Sequence, residues 1–377
     1  LPPGDPERLR LLADSCEALL ATGRAEDIEL LTAQAIDEAG SKHEPCIEAR
    51  LRVWHVMVDE TITPDDPPVT ELRSLGETLA TCEDDVGFAQ VHEALAHIAW
   101  ISSDFDDAMA HMQKGLAASY RGKARTPLSR MSVSFLSMLV AGPMAVDDAL
   151  RRCEAIGPVA QRSALVEISL KTSAAHLLAL AGALGVARRS LEDAEAIQSA
   201  LGQPPWVARV PRVAGSIESM DGDPAAAILR AGAGLDDLLA MGHPAGVDSG
   251  LIVARALCDL ERFDEAVELA RRLSESLASN PTSEAPEVGE GEIAGVLARA
   301  LAATGKRDEA GSALARSDGS PPSSIRLAQA ADRLVDTARA CIALERPDDA
   351  RSRIEKAIEL YQAKGASLPE TLARTLL

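Results

Sequence analysis

Apolar positions along the chain recur at helical spacing and are broken at intervals of about 40 residues. Within 264–279, Val267, Leu269, Ala270, Leu273 and Leu277 fall on one stripe of an α-helix. The same grammar repeats: an amphipathic helix, a short turn rich in Gly, Asp or Arg, then an acidic residue and Ala opening a second helix. The clearest turns are Gly23-Arg24-Ala25-Glu26, Ser103 to Ala108, Asp221 to Ala226, Glu261 to Ala266, Gly305 to Ala310 and Glu345 to Ala350. Weaker ones lie near Thr63-Pro64-Asp65, Gly142-Pro143 and Gly182 to Gly185. The interval predicts roughly nine helix pairs and a short last helix from Pro369, each pair needing its neighbours to bury its apolar face. The period exceeds the ~34 residues of the simplest tetratricopeptide (TPR) repeat, so the helices or the loops are longer.

The register is testable by subtraction. Ala96 and Ala108, Ala175 and Ala187, Ala214 and Ala226, Ala254 and Ala266, Ala298 and Ala310, and Ala338 and Ala350 stand at one common offset, each in phase with a turn. Small residues are needed where the two helices of a hairpin cross closely. Gly or Asp-Gly ends the first helix, since Gly enters the left-handed region most cheaply. Asp or Glu in the next first turn favours the positive end of the helix dipole, and Pro224 and Pro347 suit first-turn positions that need no N–H. Two stretches interrupt the rhythm: a rigid polar loop at 63–68 and an acidic, Pro- and Gly-rich loop at 279–291. Both read as loops inside one domain spanning 1–377.

Composition strengthens the helical reading. Aromatics are 2% of residues, so the core must be Leu, Val, Ile and Ala, and Ala is the best helix former. The expected fold is all-α: a right-handed α-solenoid of about nine TPR-like pairs. The net charge of −20 argues against direct nucleic-acid binding, which needs a cationic footprint, and against an anionic membrane surface. The six cysteines (Cys16, Cys46, Cys82, Cys153, Cys258 and Cys341) form no CxxC pair and fall in apparent helices. They read as buried thiols of a reducing, cytoplasmic compartment. No apolar run is long enough for a membrane span, and no signal peptide is visible. The chain does not start at Met, which suggests a piece of a longer protein whose other domains hold the activity.

Catalytic and cofactor motifs are missing. Gly122-Lys123 and Gly305-Lys306 lack the frame of a phosphate loop, and neither H-E-x-x-H nor G-x-S-x-G occurs. His92 and His97 are five apart, on different helix faces, which argues against a shared metal. No catalytic residue, metal or cofactor is expected of this chain. Recognition is expected in the concave groove lined by first helices, with a protein or peptide partner or a small-molecule effector as occupant. The position after each first-helix Ala reads His97, His176, Gly215, Arg255, Arg299 and Arg339. The three arginines form a ladder suited to carboxylate or phosphate. Asp248, Glu292 and Asp332, seven residues before them, could instead neutralise it within or between repeats. Gln90, Glu93, His97 and Trp100 share a second predicted inner face, where Trp100 is either core or a ligand contact. Trp206, Arg209 and Arg212 form a weaker cluster.

Several of these segments carry a resemblance. Leu1-Pro2-Pro3-Gly4-Asp5-Pro6-Glu7-Arg8-Leu9 looks like the junction where an ATPase module passes into a TPR-like tail in large signalling proteins of high-GC bacteria. His97-Ile98-Ala99-Trp100, Gly142-Pro143 with Val146 to Glu154, Gly222 to Ala227, and Ala357 to Gly365 followed by Ala373-Arg374 are similar to that tail, in its order. The chain most resembles the tail of class III adenylate/guanylate cyclases with a central AAA or STAND-type ATPase. Similar tails occur in large LuxR-type regulators. The resemblance implies a sensor that controls the ATPase and, through it, the output domain. A free-standing peptide-binding adaptor is the third reading. Residues around 64–68 and the fourth pair depart from the pattern, and no catalytic residue carries over.

Overall fold

The pattern folds as hairpins of helices. A computed structural model describes residues 2, 5–21, 24–58, 68–202, 210–279, 289–320 and 326–377. Among these residues every regular element is a helix, twenty-one in all. Nine pairs follow in order: α1 (Pro6–Ala21) with α2 (Ala25–Ser41), α3 (Pro45–Val58) with α4 (Val69–Thr81), α5 (Asp85–Ile101) with α6 (Phe105–Arg121), and α7 (Arg125–Ala141) with α8 (Val146–Glu154) and the single turn α9 (Gly157–Ala160). Next come α10 (Ala164–Leu180) with α11 (Leu184–Ala200), and α12 (Val210–Met220) with α13 (Pro224–Ala231) and α14 (Leu235–Ala240). The last three pairs are α15 (Pro244–Asp259) with α16 (Phe263–Ser279), α17 (Glu290–Ala303) with α18 (Arg307–Gly319), and α19 (Leu327–Ala343) with α20 (Pro347–Lys364). Helix α21 (Ser367–Arg374) closes the chain. The fold class is the one expected, all-α and built of TPR-like pairs.

The alanine register is the seam of the hairpins. Eleven of its twelve alanines are buried, and only Ala226 is partly exposed, with Ala227 fully buried beside it. On α16 the predicted stripe Val267, Leu269, Ala270 and Leu273 is buried, and Leu277 is half-buried at its end. The caps follow sequence chemistry. Asp84 accepts from the N–H groups of Val86 and Gly87, Asp104 from Asp107 N–H, and Asp223 from Ala226 N–H. Each such cap satisfies donors that the helix start leaves unpaired, at about 1 kcal/mol apiece. The turns correct one expectation. Gly182, Gly222 and Gly305 take the left-handed position between paired helices, but Ser103, Glu261 and Glu345 hold it as well, at φ of 62°, 60° and 63°. These six hairpins share that conformation whichever residue supplies it, whereas the α7–α8 turn at Gly142-Pro143 does without it.

The chain divides within α7 into two compact units, Leu1–Phe135 and Leu136–Leu377. In the first unit α1 packs on α3 and α3 on α5. Its core includes Leu72, Leu79, Val53 and Val91, with Trp54 fully buried beside Cys16 and Ile28. Two cysteines depart from the buried-thiol reading: Cys46, at the start of α3, is disulfide-bonded to Cys82, which caps α4. Cys16, Cys153, Cys258 and Cys341 are free and buried, as expected.

In the second unit the first helices stack in sequence, α10 on α12, α12 on α15, α15 on α17 and α17 on α19. The unit then departs from a nearest-neighbour array, because α21 returns to pack on α10. Ser367 Oγ donates to the Ala181 carbonyl at 3.1 Å. The fully buried Lys364 Nζ donates to the carbonyls of Leu139, at 3.2 Å, and Gly142, at 2.6 Å. Burial lowers the Lys364 ammonium to about 8. The last hairpin is thereby tied to the first turn of the unit. Residues 63–67 and 280–288 of the two expected loops lie outside the described residues; Pro68 immediately precedes α4, and the expected loop at 279–291 is shorter than its bounds, since Ser279 ends α16 and Glu290 and Gly291 open α17.

Candidate functional site

The residue after each buried hairpin alanine is rotated about 100° from it, away from the seam. On α15, α17 and α19 that residue is Arg255, Arg299 and Arg339, following Ala254, Ala298 and Ala338, each 0% exposed. All three arginines line a cavity of about 240 Å³ in the second unit, together with His176 of α10 and Arg212 of α12. Five predicted site residues are thus brought together on one surface. The returning α21 supplies part of the wall through Pro369, Leu372 and Ala373, and Leu376 follows just beyond it. Leu251, Ile252 and Val335 add apolar surface.

The arginines are linked by acids from other repeats. Arg255 Nε donates to Asp336 at 2.7 Å and its Nη1 to Asp332 at 3.3 Å. Arg299 pairs with Asp259 and, at 3.5 Å, with Asp336. Arg339 Nη1 donates to Asp259 at 2.7 Å. Every pair in this chain of three arginines and three aspartates crosses from one hairpin to another. Of the acids expected to neutralise the ladder, only Asp332 does so. Asp248 sits 3.7 Å from Arg212, and Glu292 accepts from Gly289 N–H at the start of α17. Asp336 and Asp259 were missed in the sequence. Their signal was present, since Asp336 precedes Arg339 by three residues and Asp259 follows Arg255 by four, each on the arginine's own helix face. Tyr361 of α20 was also missed; its buried hydroxyl donates to Asp332 at 2.5 Å.

Electrostatics follow enclosure. Burial opposes the Arg255 charge, but Asp336 and Asp332 outweigh it and hold the guanidinium above its ordinary pKa. The same balance, with Asp336 and Asp259, raises Arg299. Burial pushes the Asp332 carboxyl up against the pull of Arg255 and the Tyr361 hydroxyl. Burial, aided by the charges of Arg212 and Lys364, lowers His176 to about 3, so the imidazole is neutral at pH 7. Removing one member of such a network is costly, because its buried partner keeps an uncompensated charge. One guanidinium atom, Arg255 Nη2, is buried without a hydrogen-bond partner among the described residues.

The other predicted residues go elsewhere. Glu93, His97 and Trp100 belong to the first unit. Glu93 is buried and receives two N–H groups of Arg130, at 2.6 and 2.5 Å. Arg130 also pairs with Glu17 and lies 5.7 Å over the Trp54 ring. His97 is exposed, and Trp100 is half-buried with its ring 6.4 Å from Phe105. His92 turns away from His97 and meets His111 of α6, Nδ1 to Nδ1 at 2.7 Å. No group of three or more metal-ligating side chains occurs among the described residues, and none of their helices is long and apolar enough to cross a membrane. Trp206 and Arg209 lie outside the described residues.

Hairpins of this length, stacked first helix on first helix, make the chain a TPR-like helical repeat protein in fold. Among solved structures it is similar to a Rap protein complexed with competence and sporulation factor, at TM-score 0.63 and 13% identity over 96% of this chain and 99% of that one. It is less similar to the Cut9–Hcn1 hetero-tetramer of the APC/C, at TM-score 0.43 and 14% identity over 94% and 70% of the two chains. No protein-family model and no curated protein matches the sequence.

Proposed function

We propose that the chain is a non-catalytic regulatory scaffold that binds a small ligand or a peptide in the cavity of its second unit. The observation that carries this reading is the cavity itself: about 240 Å³, lined by the part-buried Arg–Asp network together with apolar residues. Charged groups facing a concave, partly apolar recess, with oriented donors and acceptors, are what a specific binding site requires. The Rap protein of like fold is complexed with a factor, which agrees with a binding role. A thermal-shift screen of the purified chain against nucleotides, sugars and short peptides tests it, since a ligand of the native state raises the melting temperature. Ser216 lines the cavity, so Ser216→Trp should fill it and abolish the shift. A shift that survives this substitution refutes the cavity as the seat.

The wider setting rests on sequence resemblance alone. We place the scaffold in a bacterial signalling ATPase linked to a nucleotide cyclase, where ligand binding shifts the population of conformers that the other domains read. A helix-turn-helix following this region in the full reading frame would move it to a LuxR-type regulator. The same resemblance implies a cytoplasmic protein. Against that stands the Cys46–Cys82 bond, since structural disulfides are rare in reducing compartments. Rapid alkylation of cells followed by mass mapping of Cys46 and Cys82 decides the point.

A further inference from the structure

The cavity's polar wall divides into a shielded part and a reachable part. Asp336 and Arg299 have side chains only 4% and 10% exposed, whereas Arg339, Asp259 and Asp332 keep 34%, 32% and 39%. Arg339 spends one N–H on Asp259, and a guanidinium carries five. Asp332 accepts from Tyr361 and Arg255, and a carboxylate has about four acceptor sites. A spare donor fork and a spare acceptor therefore face one recess.

Charge selects among ligands. The lining holds four arginines (Arg212, Arg255, Arg299, Arg339) and five acids (Asp248, Asp259, Glu292, Asp332, Asp336). A simple anion could take the spare Arg339 donors, but it would add its charge to a wall that already holds one more acid than arginine and would leave Asp332 unmet. A simple cation gains Asp332 but leaves the Arg339 donors unmet. A ligand carrying both charges satisfies both ends and leaves the wall's balance unchanged. Asp332 and Arg339 are seven residues apart on α19, which is about 10.5 Å of helix rise. An extended chain of three residues spans at most about 10–11 Å.

Building on the cavity as the ligand seat, we propose that its occupant is a short zwitterionic peptide of about three residues lying along α19, its free ammonium on Asp332, its free carboxylate on Arg339, and an apolar side chain against Leu372 and Leu376. The anion-only ligand that the arginine ladder suggests in sequence is disfavoured, because the ladder is already neutralised.

Isothermal titration of the full chain with Leu-Gly-Leu, its N-acetyl form and its C-terminal amide tests this. The free tripeptide should bind, and blocking either end should weaken binding tenfold or more, as expected for loss of a charge-assisted hydrogen bond. Arg339→Gln should erase the preference for carboxylate over amide, and Asp332→Asn the preference for free amine over acetylated amine. If either variant fails to fold, the three peptides compared on the unaltered chain still decide. Equal affinity for all three forms, or binding by none, overturns the zwitterion. Equal affinities that Ser216→Trp abolishes leave the cavity standing as the ligand seat. Binding untouched by Ser216→Trp removes that reading too.

Discussion

His176 makes the enclosure of the cavity measurable. Its imidazole is held near 3, against about 6.5 in the unfolded chain, chiefly because burial disfavours the charged ring. Between those values the unfolded state binds a proton that the folded state refuses. The unfolded state therefore gains stability as pH falls, and the protein loses it from about pH 6.5 down to about pH 3. Over the whole window the loss is on the order of 5 kcal/mol, and between about pH 7.5 and about pH 5 it is about 2 kcal/mol. His176→Gln keeps a polar side chain at the site but cannot titrate. Urea unfolding of both proteins at these two pH values should show the unaltered chain losing about 2 kcal/mol more than the variant. His92 and His111 are also lowered, mainly by burial, and add acid sensitivity of their own. They are common to both proteins and cancel in the difference. Proton NMR of the imidazole, assigned by the signal missing in His176→Gln, gives the pKa directly. A His176 titration near 6.5, or the same pH slope in both proteins, would show that water fills the cavity freely and that its walls are not desolvated.

Four further substitutions probe the scaffold. Asp336→Ala takes one of two acid partners from both Arg255 and Arg299 and should cost about 3 kcal/mol by urea unfolding; a loss below about 1 kcal/mol would mean that Asp259 and Asp332 suffice. Gly215→Ala places a Cβ 2.5 Å from the Cβ of Ala231, both on helices, and should cost about 1–3 kcal/mol, read as a lower melting temperature. Glu345→Gly relieves a left-handed backbone at φ 63° and, since the ion pair it gives up to Arg307 is exposed, should stabilise by about 1 kcal/mol. Cys46→Ser with Cys82→Ser opens a link across 36 residues, which chain entropy values at about 4 kcal/mol. Thiol titration of the denatured, unreduced protein should find four reactive groups, and six would disprove the bond.

The fold was legible because a repeat states its own rule many times. One Ala-to-Ala offset is noise in an Ala-rich chain, but six in phase with turns locate the seam, and the buried residues follow it. The arginine ladder was legible for the same reason, since Arg255, Arg299 and Arg339 inherit their orientation from Ala254, Ala298 and Ala338. What escaped were features that the repeat does not encode. Lys364 reaches residues 225 and 222 positions away and α21 one 186 positions away, and no period links them. Cys46 and Cys82 sit at a helix start and a helix end in adjacent turns, where spacing alone does not report approach. The acids expected to neutralise the ladder, within or between repeats, stand seven residues before each arginine, and of these Asp332 pairs across repeats with Arg255. Asp259 and Asp336, at other spacings from the arginines, also act across repeats, each shared by two arginines. An ion pair confined to one hairpin would stabilise only that hairpin, whereas a shared acid makes the spacing of α15, α17 and α19 a common condition. A ligand that draws on Arg339 or Asp332 must therefore be felt at all three helices, and this gives a regulatory scaffold a means of passing on what it has bound.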